Sequence, residues 1–147
     1  MIYIGADHRG YNLKEALKEY MDEMGLDYED LGAFELDLND DFPQFAKLVA
    51  EHIHELDDRG IVICGSGVGV DEVANKVPGI RAGLAMNKDQ IRSARHDDDI
   101  NVLALAADFT SEEDAKAILK IFLGTEFSSE EKYKRRIQQI EQIDDEF

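Results

Sequence analysis

The stretch Gly60-Ile61-Val62-Ile63-Cys64-Gly65-Ser66-Gly67-Val68-Gly69-Val70 constrains this chain more than any other, because an apolar run stops at the only cysteine and opens into three alternating glycines. Apolar residues bounded by glycines suit a strand covered on both faces, as parallel strands are when helices shield each side. Gly65, Gly67 and Gly69 permit positive φ and bring bare backbone N–H groups close to a ligand. Val70 to Lys76 can then wind into a helix whose first N–H groups and positive dipole end face the same space. Such a place attracts anions and enediolates. Cys64 is expected at its lip, where a helix N-terminus favours the thiolate. The alternative is a buried cysteine on an ordinary strand-to-helix turn. No Gly-Lys-Ser/Thr follows, so the stretch is not a P-loop, and it lacks the G-x-G-x-x-G spacing of dinucleotide binders.

Around this centre the chain alternates short apolar runs with amphipathic ones. Met1 to Gly5 reads as a first strand that runs into Ala6-Asp7-His8-Arg9-Gly10. Asp7 and His8 would then stand at a strand's carboxyl end, where open α/β sheets bind ligands, or else form a solvated loop with a capping Asp. Leu13, Ala16, Leu17, Tyr20 and Met24 recur at helical spacing and Gly25 ends the run; Tyr28 to Leu31 is a second strand. After an acidic loop over 33–42, Asp41 is a candidate N-cap and Pro43 starts a helix towards Leu56. His52 and His54 lie on that helix, two apart and on different faces, without metal-ligand spacing. Gly79 to Ala85 is a fourth strand, Lys88 to about Arg95 a helix ending at His96-Asp97-Asp98-Asp99, and Asn101 to Ala106 a fifth strand. Ser111-Glu112-Glu113-Asp114 opens another helix with acids in its first turn. The last helix starts near Ser128 and carries Lys132, Lys134, Arg135 and Arg136, as a solvated face or as a phosphate grip. The expected fold is α/β, a three-layer α/β/α sandwich around a five-stranded parallel sheet, Rossmann-like.

The chain has 147 residues, 44% of them hydrophobic and only two of them proline, which suits one domain over 1–147 with a single core. Sixteen basic against 33 acidic residues give a formal charge of −17, which excludes nucleic acid and anionic membranes as partners by repulsion. One cysteine allows no internal disulfide, and no apolar stretch approaches ~20 residues or resembles a signal peptide, so the expected location is the cytoplasm.

Gly5-Ala6-Asp7-His8-Arg9-Gly10, Ile63-Cys64-Gly65-Ser66-Gly67-Val68-Gly69, Ala74-Asn75-Lys76 and Gly79-Ile80-Arg81-Ala82 occur in that order. With Asp41-Phe42-Pro43 and Asn101-Val102-Leu103-Ala104, the chain resembles the type B ribose-5-phosphate isomerase and galactose-6-phosphate isomerase family over nearly its whole length. The resemblance implies an aldose–ketose isomerase of the pentose phosphate pathway that uses neither metal nor cofactor and passes through a cis-enediolate. Cys64 would be the base between C1 and C2. Ser66 and the loop of Gly65, Gly67, Val68 and Gly69 would hold the oxyanion. His96 would open the furanose ring, Asp7 position sugar hydroxyls and His8 face the phosphate. Relatives form homodimers in which the C-terminal helix of one subunit serves the other's cleft. Residues 128–147 would pack on the partner here, Lys132 and Arg136 would supply its cations, and dimers could pair further into tetramers.

Some positions depart from the family pattern, and all of them change charge. The family's His-Asn is His96-Asp97 here, which replaces an amide that can donate a hydrogen bond by a carboxylate that cannot. Ala106-Ala107-Asp108 stands where many relatives carry Gly-Ser-Arg or Gly-Gly-Arg, so a phosphate-facing cation is expected to be missing. Asp71 and Glu72 bring acids to the start of the helix after the glycine loop. The expected function is interconversion of ribose 5-phosphate and ribulose 5-phosphate. The alternatives are an isomerase of a six-carbon sugar phosphate, such as allose or galactose 6-phosphate, and a non-catalytic phosphosugar-binding relative.

Overall fold

The computed structural model describes all 147 residues. Five strands form one sheet: β1 (Ile2–Ala6), β2 (Tyr28–Asp30), β3 (Arg59–Cys64), β4 (Ala82–Leu84) and β5 (Val102–Ala106). Their order is β2-β1-β3-β5-β4 and every neighbouring pair is parallel. β3 is central, with Ile61 beside Ile4 on one side and Leu103 on the other. Six helices complete the chain: α1 (Tyr11–Glu23), α2 (Phe42–Glu51), α3 (Val68–Ala74), α4 (Lys88–Asp98), α5 (Glu112–Gly124) and α6 (Glu131–Asp144).

Alternation along β3 divides the interior into two layers, because successive side chains point to opposite faces. Ile61 and Ile63 pack with Leu13 and Leu17 of α1 and Leu119 and Phe122 of α5. Val62 and Cys64 pack with Ala46 and Val49 of α2 and Val70 and Ala74 of α3. Burying each large aliphatic or aromatic side chain contributes about 1.5–3 kcal/mol, which is why β3 carries no polar side chain between Arg59 and Cys64. The three-layer α/β/α sandwich expected from the sequence is the fold observed. α6 differs from the other helices: Ile137 is its one buried residue, Ile140 and Ile143 are exposed, and a cavity of ≈ 520 Å³ separates it from the β4 edge.

The structure corrects several element boundaries. The helix expected to reach Leu56 stops at Glu51, and His52 is its C-cap. There the His52 ring donates from Nδ1 to the Leu48 carbonyl at 2.7 Å and lies tilted at 52° beside the Tyr3 ring, while His54 lies beyond the helix. Asp41 occupies the N-cap position but accepts no capping hydrogen bond. The glycine loop turns into α3 at Val68, two residues early, because Gly67 adopts φ 73° and reverses the chain at once. β4 is limited to Ala82–Leu84, and α6 begins at Glu131 rather than near Ser128.

The start of α1 rests directly on β3. A Cβ on Gly10 would stand 2.7 Å from Ile63 Cγ2 and 2.8 Å from the Ile63 carbonyl oxygen, although its φ of −97° suits any residue. Gly10→Ala should therefore cost about 1–3 kcal/mol of stability through overpacking, read as a lower urea midpoint at unchanged m-value. An unchanged midpoint would show that α1 does not sit on the central strand.

Candidate active site

β1, β3 and β5 end together, and the loops that follow them carry the first group of polar residues. Cys64 closes β3 with 5% of its surface exposed, so it is the floor of the cleft rather than its lip. Above it the N–H groups of Gly65, Ser66, Gly67 and Gly69 meet no acceptor in the chain. The Val68 N–H makes a long contact, 3.3 Å, to Ser66 Oγ. The three glycines serve different needs. Only Gly67 has positive φ; a Cβ on Gly69 would stand 2.6 Å from the Phe42 ring, and one on Gly65 would strike the Arg9 guanidinium. A row of free donors over a buried thiol can hold an oxyanion formed beside that thiol.

Asp7 and His8 flank this floor from the end of β1. Asp7 is 4% exposed; its Oδ1 accepts from the Arg9 and Gly10 N–H groups at 3.0 Å each, which leaves Oδ2 for a ligand. This carboxylate therefore both caps the turn and faces the cleft. The Asp40 carboxylate, 5% exposed, accepts from the His8 N–H at 2.9 Å and lies 2.7 Å from His8 Nδ1, both through Oδ1. Its Oδ2 is buried without a partner. A buried carboxylate left half-satisfied favours a cation beside it, and the Asp40 hydrogen bond holds the His8 imidazole above the usual histidine range against the opposing effect of burial. Asp7, His8 and Asp40 also offer three ligand atoms within 4.8 Å of one another, but His8 and Asp40 already bond each other. In the first turn of α3, burial and then Glu72 push the Asp71 carboxyl up.

The second group gathers at the other end of the sheet. His96 and Asp97 lie in the last turn of α4, which runs back against the strands, and Asp97 Oδ1 is 2.7 Å from His96 Nδ1. The carboxylate that replaces an amide thus fixes Nδ1 as the protonated nitrogen and leaves Nε2 free to accept a proton. Tyr133 lies edge-on to His96, with Lys132 Nζ 4.9 Å and Arg136 Cζ 5.6 Å from its ring centroid. Arg136 also lowers the carboxyl of Asp98, which burial and Asp97 push up. Three residues past His96, Asp99 shares a cleft with Arg59 and Glu141. Arg59 opens β3 and Cys64 closes it, about 16 Å further along. The structure therefore joins Asp7, His8, Cys64, Gly65, Ser66, Gly67, Val68 and Gly69 in one place and His96, Asp97, Lys132 and Arg136 in another, and does not join the two groups within one chain.

The model of the Ribose/Galactose Isomerase family matches residues 2–140. The chain belongs to this family. Ribose-5-phosphate isomerase B from Mycoplasma genitalium, solved with ribulose 5-phosphate bound, superposes with a TM-score of 0.92 at 36% identity, over 99% of this chain and 97% of that one. The Clostridium thermocellum ribose-5-phosphate isomerase B gives 0.93 at 36% identity with the same coverage. The ribose-5-phosphate isomerase B of Mycobacterium tuberculosis is 34% identical over 137 residues, 92% of this chain and 85% of its own.

Two residues that these contacts single out are not among the candidates read from the sequence. Asp40 lies within the acidic loop over 33–42. Tyr133 sat unnoticed inside a run of cations, although its spacing of one and three residues from Lys132 and Arg136 was visible. His8 yields a direct test. Because its folded-state pKa is raised above the unfolded value of about 6.5, the pair's stabilisation is full below that value and is lost as pH rises through the folded-state pKa. In an NMR titration the His8 ring should lose its proton above the ordinary histidine value, and Asp40→Asn should bring that midpoint down. A midpoint that ignores the substitution would refute the pairing.

Proposed function

We propose that this chain is an aldose–ketose isomerase that interconverts ribose 5-phosphate and ribulose 5-phosphate through a cis-enediolate, acting as a homodimer. The observation that carries the reading is the buried Cys64 at the end of the central strand, followed directly by a row of unpartnered backbone N–H groups. The bound ribulose 5-phosphate of the Mycoplasma genitalium relative supports it.

The Cys64 thiolate takes the proton from C2 of the open-chain aldose. The C–H electron pair forms the C1–C2 double bond, and the carbonyl pair moves onto O1, where the N–H groups of Gly65 to Gly69 and the Ser66 hydroxyl stabilise it. A proton passes from O2 to O1, the thiol returns its proton to C1, and the C2 carbonyl forms. Nothing is oxidised or reduced overall, so a base and oxyanion donors suffice without a cofactor. His96, with Nδ1 held by Asp97, accepts a proton at Nε2 as the furanose opens.

The separation of the two residue groups supports a cleft built from two copies. One contributes Cys64, Ser66, Asp7 and His8; the other contributes His96, Asp97 and, from α6, Lys132 and Arg136. α6 buries only Ile137 against its own chain and exposes Ile140 and Ile143, as a helix seated on a partner would. On this reading 1–147 is one catalytic domain, 128–147 is its intersubunit arm, and a lone catalytic thiol belongs in the reducing cytoplasm. No helix is long and apolar enough to cross a membrane.

Purified protein assayed on ribose 5-phosphate, allose 6-phosphate and galactose 6-phosphate should turn over the pentose phosphate preferentially. Cys64→Ala should lose at least ~2–3 orders of magnitude in rate and the exchange of solvent hydrogen at C2, while keeping its fold. Isomerisation within a few-fold of the parent would transfer the base to a carboxylate such as Asp71 or Glu72.

A further inference from the structure

Arg9 has no role in the reading above, yet it is the point at which the three strand-end loops of the cleft meet. Its guanidinium lies flat across the α-carbon of Gly65. A Cβ there would stand 2.1 Å from Arg9 Cζ and 2.2 Å from Nε, so Gly65 is small because the guanidinium occupies the space. One terminal nitrogen, Nη2, is paired with Asp108 Oδ2. Asp108 is itself fixed, since its N–H donates to the Gly65 carbonyl at 3.0 Å and the neighbouring Ala107 N–H donates to the Cys64 carbonyl at 2.9 Å. On the β1 side the Arg9 N–H donates to Asp7 Oδ1. The loops after β1, β3 and β5 thus each contribute one contact to Arg9, the first to its backbone and the other two to its side chain.

Asp108 takes one corner of a fork that carries five N–H donors, and no other acceptor in the chain engages the guanidinium. The side chain remains 53% exposed, on the rim of a cleft whose floor is made by Cys64 and Asp7 at 5% and 4%. The reacting carbons must reach the floor, so the end of the substrate remote from them lies at the rim. There Arg9 adjoins His8, whose Nδ1 lies 2.7 Å from Asp40 Oδ1. A guanidinium beside an imidazole whose charged form Asp40 favours matches a dianionic group even in a protein with net charge −17, and a guanidinium edge fits two phosphate oxygens at once.

We propose that Arg9 is a substrate-binding residue that grips the phosphate of the sugar phosphate with the edge left free by Asp108, seated on Gly65. The cation expected to be lost at Asp108 is delivered instead from the β1 end, and Asp108 has become its anchor. The proposal rests on the isomerase reading of the same cleft and extends it to the phosphate.

Three forms of the dimer decide it: the parent, Arg9→Gln, which keeps the stem and loses the charge, and Arg9→Lys, which keeps the charge without the fork. A phosphate is bound equally in ground and transition states, so Arg9→Gln should raise KM for ribose 5-phosphate about 10- to 100-fold, with the loss falling on KM rather than kcat. Arg9→Lys should recover part of that loss. Inorganic phosphate, titrated by phosphorus NMR, should bind Arg9→Gln weaker by a similar factor. This second readout is independent of turnover: a parent inactive on ribose 5-phosphate would overturn the isomerase reading while the phosphate titration still judged Arg9. KM and phosphate affinity within threefold of the parent in Arg9→Gln, or a loss confined to kcat, would overturn the proposal.

Discussion

A parallel strand buried on both faces can carry chemistry only at its ends. β3 is such a strand, with Ile61 and Ile63 in one core and Val62 and Cys64 in the other, and every residue between its termini is committed to packing. All five strands share its direction, so their carboxyl ends collect at one pole, while helices that return between strands finish at the opposite pole. Cys64 ends a strand and His96 lies in the last turn of a helix. The fold therefore keeps them apart in one chain, and the proposed two-copy cleft would use that polarity. α6 extends the pole of His96 with a helix that its own chain hardly buries.

Electrostatics sets the second demand, since a chain of formal charge −17 must hold an anion. Long-range attraction is absent, so binding depends on cations fixed at short range, where repulsion by distant carboxylates is screened within about 8–10 Å. On the proposed reading those cations are His8, paired with Asp40, Arg9, paired with Asp108, and Lys132 and Arg136 around the Tyr133 ring. The excess of acids thus takes part in the site. Asp40 raises a histidine's pKa, Asp108 pairs with an arginine and Asp97 accepts from a histidine's Nδ1.

Element order, sheet direction and the cradle were legible in the sequence because apolar runs and glycine spacing are local signals, and the run from Gly60 to Val70 carries both. Ends were less legible. α2 stops at Glu51 because the chain turns with His52 bonded back to Leu48, a contact that helical periodicity does not encode. The spacing of Gly65 and Gly69 reads as conformational, yet their demands come from Arg9 and Phe42, which are distant in the chain. Asp40 could not be separated from its acidic neighbours without the pairing to His8 across 32 positions. The resemblance supplied roles for individual residues and set Lys132 and Arg136 against a partner's cleft, but that His96 and Asp97 lie with them, at the opposite pole from Cys64, emerged only from the topology.

The division is best tested by mixing two defective subunits, one Cys64→Ala and the other His96→Ala with Arg136→Ala, unfolded and refolded together. Random pairing makes half the population heterodimers, each with one cleft built from an intact Cys64 pole and an intact His96 pole. The account predicts that the mixture regains roughly a quarter of parental activity, whereas each subunit alone remains inactive. Heterodimers confirmed by native mass spectrometry that regain no activity would contradict it, because both halves of the cleft would then belong to one chain.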